Sequence, residues 1–144
     1  MRIMGLDIGE KRIGIAVART EEGIATPLCV VDGSDGSRAS REIASLIDEW
    51  EVEVLVVGLP LTLAGEEGPQ ARRVRTLASR LLGGVDLPVN YTDERYTSTD
   101  AGRVLAEAGL SERQARGRVD AIAASMILQT YLDGVSADSS QGSV

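Results

Sequence analysis

The chain has 144 residues, 43% hydrophobic and 26% charged, with a formal net charge of −7. This is the balance of a soluble globular protein with one substantial core, and it argues against an extended basic coat; no run of about 18 apolar residues exists to span a membrane. With no histidine and a single cysteine, Cys29, it also excludes Ser-His-Asp and Cys-His catalysis, histidine zinc sites and an internal disulfide. The N-terminus opens on a strand-like pattern instead of a signal peptide, so the expected compartment is the reducing cytoplasm.

In chain order, residues 2–8 and 12–18 read as strands joined by Gly9-Glu10-Lys11, a length suited to an antiparallel hairpin. Ile24 to Val31 reads as a third strand, in which Pro27 implies an edge or a bulge. Ile43, Leu46, Ile47 and Trp50 keep helical spacing over about 38–50. Val52 to Val57 is a nearly continuous β-branched run, expected of a strand covered on both faces. Pro69 suits a first helical position, Val74, Leu77, Ala78 and Leu81 form the apolar stripe, and Gly83 can close that helix. Leu87 to Tyr91 reads as a fifth strand. A helix is expected from Thr97 to Gly109 and another from Ser111 to about Leu132. Val135 to Val144 is small and polar, an expected disordered tail, which leaves 1–133 as the domain and 134–144 outside it. A hairpin meander followed by β-α-β crossovers gives an α/β architecture, a mixed five-stranded sheet flanked by helices.

Three carboxylates stand out. Asp7 lies inside the first strand between Leu6 and Ile8, where loss of hydration calls for a compensating partner. It either caps the turn at Gly9 or faces solvent, or it ligates a metal ion. Glu94 follows the fifth strand, and sites in open α/β sheets form beyond strand ends. Its plain alternative is a charged loop with a Glu94–Arg95 surface pair. Asp120 leads the stripe Ala123, Ala124, Ile127 and Tyr131 on the last helix; its alternative is an interaction with the helix dipole. Together they offer the hard oxygen ligands that suit Mg²⁺ or Mn²⁺.

Four stretches, in this order and spacing, resemble the YqgF/RuvX family of pre-16S rRNA nucleases related to Holliday junction resolvases. They are Gly5-Leu6-Asp7-Ile8-Gly9 with Lys11-Arg12-Ile13-Gly14, Val56-Val57-Gly58-Leu59-Pro60-Leu61, Asp93-Glu94-Arg95, and Val119-Asp120 with Ala123-Ala124 and Ile127-Leu128. The resemblance runs from Met1 to about Asp133. It implies a ribonuclease H-like fold and a catalytic, metal-binding triad of Asp7, Glu94 and Asp120. The implied activity is metal-dependent phosphodiester hydrolysis in maturation of the 5′ end of pre-16S rRNA. Glu10 departs from the family, which often has threonine there.

Two cations about 4 Å apart can lower the pKa of an attacking water and stabilise the leaving oxygen, and without imidazole the metal itself must activate the water. Lys11, Arg12 and Arg95 flank the triad and are the expected substrate-binding residues. Arg113, Arg116 and Arg118 precede Asp120, whereas Arg72, Arg73, Arg75 and Arg80 read as a solvated helix face. The expected partner is nucleic acid, pre-rRNA first and branched DNA second, with no membrane and with the chain as monomer or homodimer. The alternatives are a Holliday junction resolvase, which needs two paired sites and hence a dimer, and a non-catalytic nucleic-acid-binding domain. A third, suggested by Leu6-Asp7-Ile8-Gly9, is a sugar-kinase or actin-like ATPase, which needs a second domain for which 144 residues leave no room.

Overall fold

The computed structural model describes residues 1–94 and, in the last helix, 112–142, with side chains of that helix described over 118–135. These segments form β1 (Arg2–Ile8), β2 (Arg12–Arg19), β3 (Ile24–Asp32), α1 (Gly36–Glu49), β4 (Val54–Leu59), α2 (Pro69–Leu82), β5 (Val89–Asp93) and α3 (Glu112–Gly142). The expected helix over 97–109, and Arg95 with it, lie outside the described residues. Every strand begins within two residues of its expected start, and the two late starts have causes. Residues 51 and 52 still close the end of α1, through Glu51 N–H to Asp48 and Val52 N–H to Ile47. Before β5, Pro88 has no N–H to donate; it only accepts, from Leu55 at 2.9 Å. At its other end α3 continues to Gly142, past the expected end near Leu132 and through the segment read as a tail.

The sheet order is β3-β2-β1-β4-β5, with β1–β2 and β2–β3 antiparallel and β1–β4 and β4–β5 parallel. Pro27 sits on the edge strand β3, where the register slips between Ile15 and Ala16. The missing donor thus falls where it disturbs pairing least. β4 is buried along its whole length, as the β-branched run requires.

Strand alternation sorts the core into two unequal layers. One face of the sheet presents Met4, Leu6, Ile8, Ile13, Ile15, Leu55 and Val57 to α1 and α2. α1 meets it with Ala39, Ile43 and Ile47, and α2 with Ala71, Val74, Ala78, Leu81 and Leu82. Truncating the fully buried Ile43 to alanine would cost about 2–5 kcal/mol. The other face carries Ile3, Ala16, Ala18, Val54 and Val56 against Ala124, Ile127, Leu128 and Leu132 of α3. Small residues dominate it, and at three positions there is no side chain at all. A Cβ on Gly5 would lie 2.8 Å from Leu128 Cβ, and one on Gly58 would lie 2.5 Å from Ile127 Cδ1. A Cβ on Gly14 would lie 1.8 Å from the carbonyl oxygen of Asp120. The glycines allow the backbone of α3 to rest almost directly on the sheet.

Candidate active site

Asp7 shares the α3 side of β1 with Ile3 and Gly5, and in the β1–β2 ladder it stands opposite Gly14. The gap that Gly14 leaves is filled by the backbone of Asp120. The helix therefore delivers Asp120 to the neighbourhood of Asp7 by close approach. Glu94 arrives from the other side. Its N–H donates to Leu59 O at 3.1 Å, which ties it to the C-terminal end of β4. Its carboxyl lies over Gly58, where a Cβ would be 2.6 Å from Glu94 Oε2. Parallel pairing of β1, β4 and β5 puts the ends of all three strands at one sheet edge.

The electrostatics of the cluster follow from this crowding. Burial, then the negative charge of Asp120, raise the Asp7 carboxyl to about 6, and a hydrogen bond from Glu94 offsets part of the rise. Burial, then the charge of Asp7, the hydrogen bond to Asp7 and the charge of Asp93 raise Glu94 to about 8. At neutral pH the pair therefore shares one proton, with Glu94 donating and Asp7 accepting. Asp120 is answered differently: Arg12 Nε donates to its Oδ2 at 2.9 Å. Arg12 itself is largely exposed. Among the described residues no three acidic, histidine or cysteine side chains form a ready-made cation cage.

The basic residues separate into distinct roles. Arg12, expected to meet substrate, is engaged by Asp120. On the same hairpin Glu10 forms an ion pair with Arg73 of α2. The tip is thus pinned on both sides, to α2 through Glu10 and to α3 through Arg12. Between them Lys11, the only lysine of the chain, is exposed. Arg75 pairs with Glu67 and covers the Tyr91 ring at 4.2 Å, while Arg72, Arg80 and Arg118 are exposed. Arg113 and Arg116 lie on α3 in the part whose side chains are not described. Sequence reasoning missed the Glu10–Arg73 and Arg12–Asp120 pairs. It also missed the role of Gly14 and Gly58 as clearances, although both stood in its motifs.

A family model described as RuvX, Holliday junction resolvase, matches residues 1–134. The chain belongs to the RuvX family. A relative from Anaeromyxobacter sp. (strain Fw109-5) is 46% identical over 134 residues, 93% of this chain and 98% of the relative. One from Methylobacillus flagellatus is 43% identical over 133 residues, 92% of this chain and 91% of the relative. Both are provisionally named as pre-16S rRNA nucleases. Among solved structures, Thermus thermophilus RuvC in complex with a Holliday junction substrate aligns with a TM-score of 0.58 at 18% identity, covering 94% of this chain and 96% of that one. The fowlpox virus resolvase with Holliday junction DNA aligns at 0.55 and 14% identity, covering 94% and 99%. At such identities the likeness speaks to the fold, and this RuvX-family chain is ribonuclease H-like. None of the helices in the described residues is long and apolar enough to cross a membrane.

Proposed function

We propose that this RuvX-family chain is a metal-dependent nuclease that hydrolyses phosphodiester bonds, acting in the cytoplasm on the 5′ end of pre-16S rRNA. The observation that carries the reading is the hydrogen-bonded Asp7–Glu94 carboxyl pair, brought together beside Asp120 at one sheet edge. These are hard oxygen donors whose shared deficit is positive charge, and a divalent cation would supply it. Asp7, Glu94 and Asp120 would hold Mg²⁺ or Mn²⁺. When bound, such ions lower the pKa of a water and stabilise a leaving oxygen.

The remaining work belongs to the chain. With a cation bound, Asp7 and Glu94 would release their shared proton to solvent and offer ionised oxygens. Lys11 and Arg12 at the hairpin tip, with Arg95, hold phosphates either side of the cleaved bond; Lys11 does so as a point charge, and Arg12 by exchanging Asp120 for phosphate. The backbone of α3 over Gly14 keeps Asp120 in place and fills the space behind Asp7.

The test incubates purified protein with Mg²⁺ or Mn²⁺ and either an RNA spanning the 5′ precursor junction of 16S rRNA or a four-way DNA junction, and maps the product ends. Cleavage of the RNA that stops on adding chelator and is absent in Asp7→Asn supports the reading. Cleavage confined to the DNA junction would replace it with a resolvase, and cleavage of neither would leave a binding domain.

A further inference from the structure

The loop between β4 and α2, residues 60–68, takes no part in the chemistry above, yet it is built with care. Thr62 and Glu66 close it reciprocally: Thr62 N–H donates to Glu66 O at 2.9 Å, and Glu66 N–H donates to Thr62 Oγ1 at 3.1 Å. Inside this clasp Gly65 N–H donates to Thr62 O at 2.8 Å, which makes Thr62-Leu63-Ala64-Gly65 a β-turn. Gly65 has φ +80°, a conformation that favours glycine. Gly68 packs so closely that a Cβ on it would lie 2.9 Å from Thr62 Cγ2. The turn is held firmly, and what it holds out is Leu63, 86% exposed and the most exposed large hydrophobic side chain among the described residues.

Position and chemistry give this leucine a use. The loop leaves the C-terminal end of β4, the strand paired in parallel with β1, so it rises from the sheet edge that carries Asp7 and Glu94. It has no basic residue, and Glu66 and Glu67 follow the tip, so its charge repels phosphate. Among the described residues, apolar alternatives for touching a base are scarce. Phenylalanine is absent from the chain. Trp50 sits at the far end of the sheet, where its carbonyl accepts from Arg2 at the start of β1, and the Tyr91 ring is covered by Arg75.

We propose that Leu63 is a base-contacting wedge: a rigidly presented aliphatic side chain that packs on a nucleobase beside the cleaved bond and holds it out of its stack. Aliphatic side chains inserted at base steps act in this way in nucleic-acid-binding proteins. The proposal rests on the nuclease reading and adds to it the group that meets the base, while Lys11 meets the phosphate. A substrate with an unpaired or weakly stacked base next to the scissile phosphate is favoured.

The experiment uses the full chain in excess chelator, so that binding proceeds without cleavage, and the precursor-junction RNA with 2-aminopurine at successive positions around the cleavage point. Wild type raises the emission at one position adjacent to that point. Leu63→Ala melts like wild type, loses most of that rise and binds about tenfold more weakly, with an unchanged dependence of affinity on salt. Leu63→Met restores the rise. Equal emission and affinity in Leu63→Ala and wild type would overturn the wedge while leaving the nuclease reading intact, and so would a reduced salt dependence in Leu63→Ala, which would assign the loop to backbone contact. Failure of wild type to bind any nucleic acid would overturn both.

Discussion

Replacing Asp7 by asparagine tests the electrostatic account of the site without any substrate. The Asp7 carboxyl is raised from 3.8 to about 6, so ionising it is harder in the folded protein than in the unfolded chain. At about 1.36 kcal/mol per pH unit this amounts to about 3 kcal/mol, and solvent on the open side of the site reduces it to about 1–2 kcal/mol. The sign is fixed by linkage: between the unfolded and folded pKa values the native state holds the extra proton, so stability falls as pH rises through that window. Well below the unfolded value of 3.8 the group is neutral in both states and the penalty is absent; it grows through the window and is complete well above the folded value of about 6. Asp7→Asn removes it and also relieves Glu94, whose own elevation owes part of its size to Asp7. The variant should therefore melt closest to wild type at pH 4 and about 3–6 °C higher at pH 8, both in chelator. Mg²⁺ or Mn²⁺ should raise the wild-type melting temperature and leave that of the variant nearly unmoved. The assay is differential scanning calorimetry from pH 4 to 9, read as variant minus wild type so that other charges cancel. A variant that melts lower at pH 8, or a difference that does not grow with pH, would refute the account.

Arg12→Gln removes a cation 2.9 Å from an Asp120 oxygen and should tighten Mn²⁺ binding several-fold by calorimetry while weakening nucleic-acid binding; looser Mn²⁺ binding would make Arg12 an aid to the ligand set instead of its competitor. Lys11→Ala should weaken binding to all sequences alike and lower the salt slope by about one phosphate contact. Because Lys11 is the only lysine, bound RNA should protect that one side chain from acylation, and peptide mapping with and without RNA gives an independent reading of the same contact. Gly14→Ala should cost about 3 kcal/mol or more in denaturant titrations and abolish cleavage, since its methyl group would sit 1.8 Å from Asp120 O; a variant of wild-type stability would show that α3 does not press on β2.

Much of this molecule is legible from period and punctuation. The short Gly9-Glu10-Lys11 turn between two strand-like runs marked β1 and β2, the β-branched run marked β4 as doubly covered, and Pro27 marked the edge and its bulge. Asp7 was conspicuous because a carboxylate in an apolar strand breaks the pattern. What escaped depends on contacts between residues far apart in the chain. Arg12 meets Asp120 across 108 positions, so the cation expected to meet phosphate is engaged by a carboxylate instead. Glu10 read as a departure in a turn, and its partner Arg73 read as one of a solvated row, yet they join. The end of α3 was misjudged for a different reason. Small polar residues with one glycine carry little apolar period, so there was no stripe to read.

The two layers of this core should age differently under mutation. On the α1–α2 side, aliphatic side chains interlock, and one can be exchanged for another of similar volume with neighbours adjusting. On the α3 side the contact at Gly5 and Gly14 is backbone or Cβ against bare Cα, so there is nothing smaller to substitute and nothing soft to yield. A saturation library scored for solubility and for cleavage would separate there: the first layer grades smoothly with volume, and the second falls off a step at any change. The step would not primarily report lost packing. The helix that a new methyl group lifts is the one that carries Asp120, so a steric error far down the strand is transmitted as a displacement of a carboxylate, and chemistry is lost before the fold is.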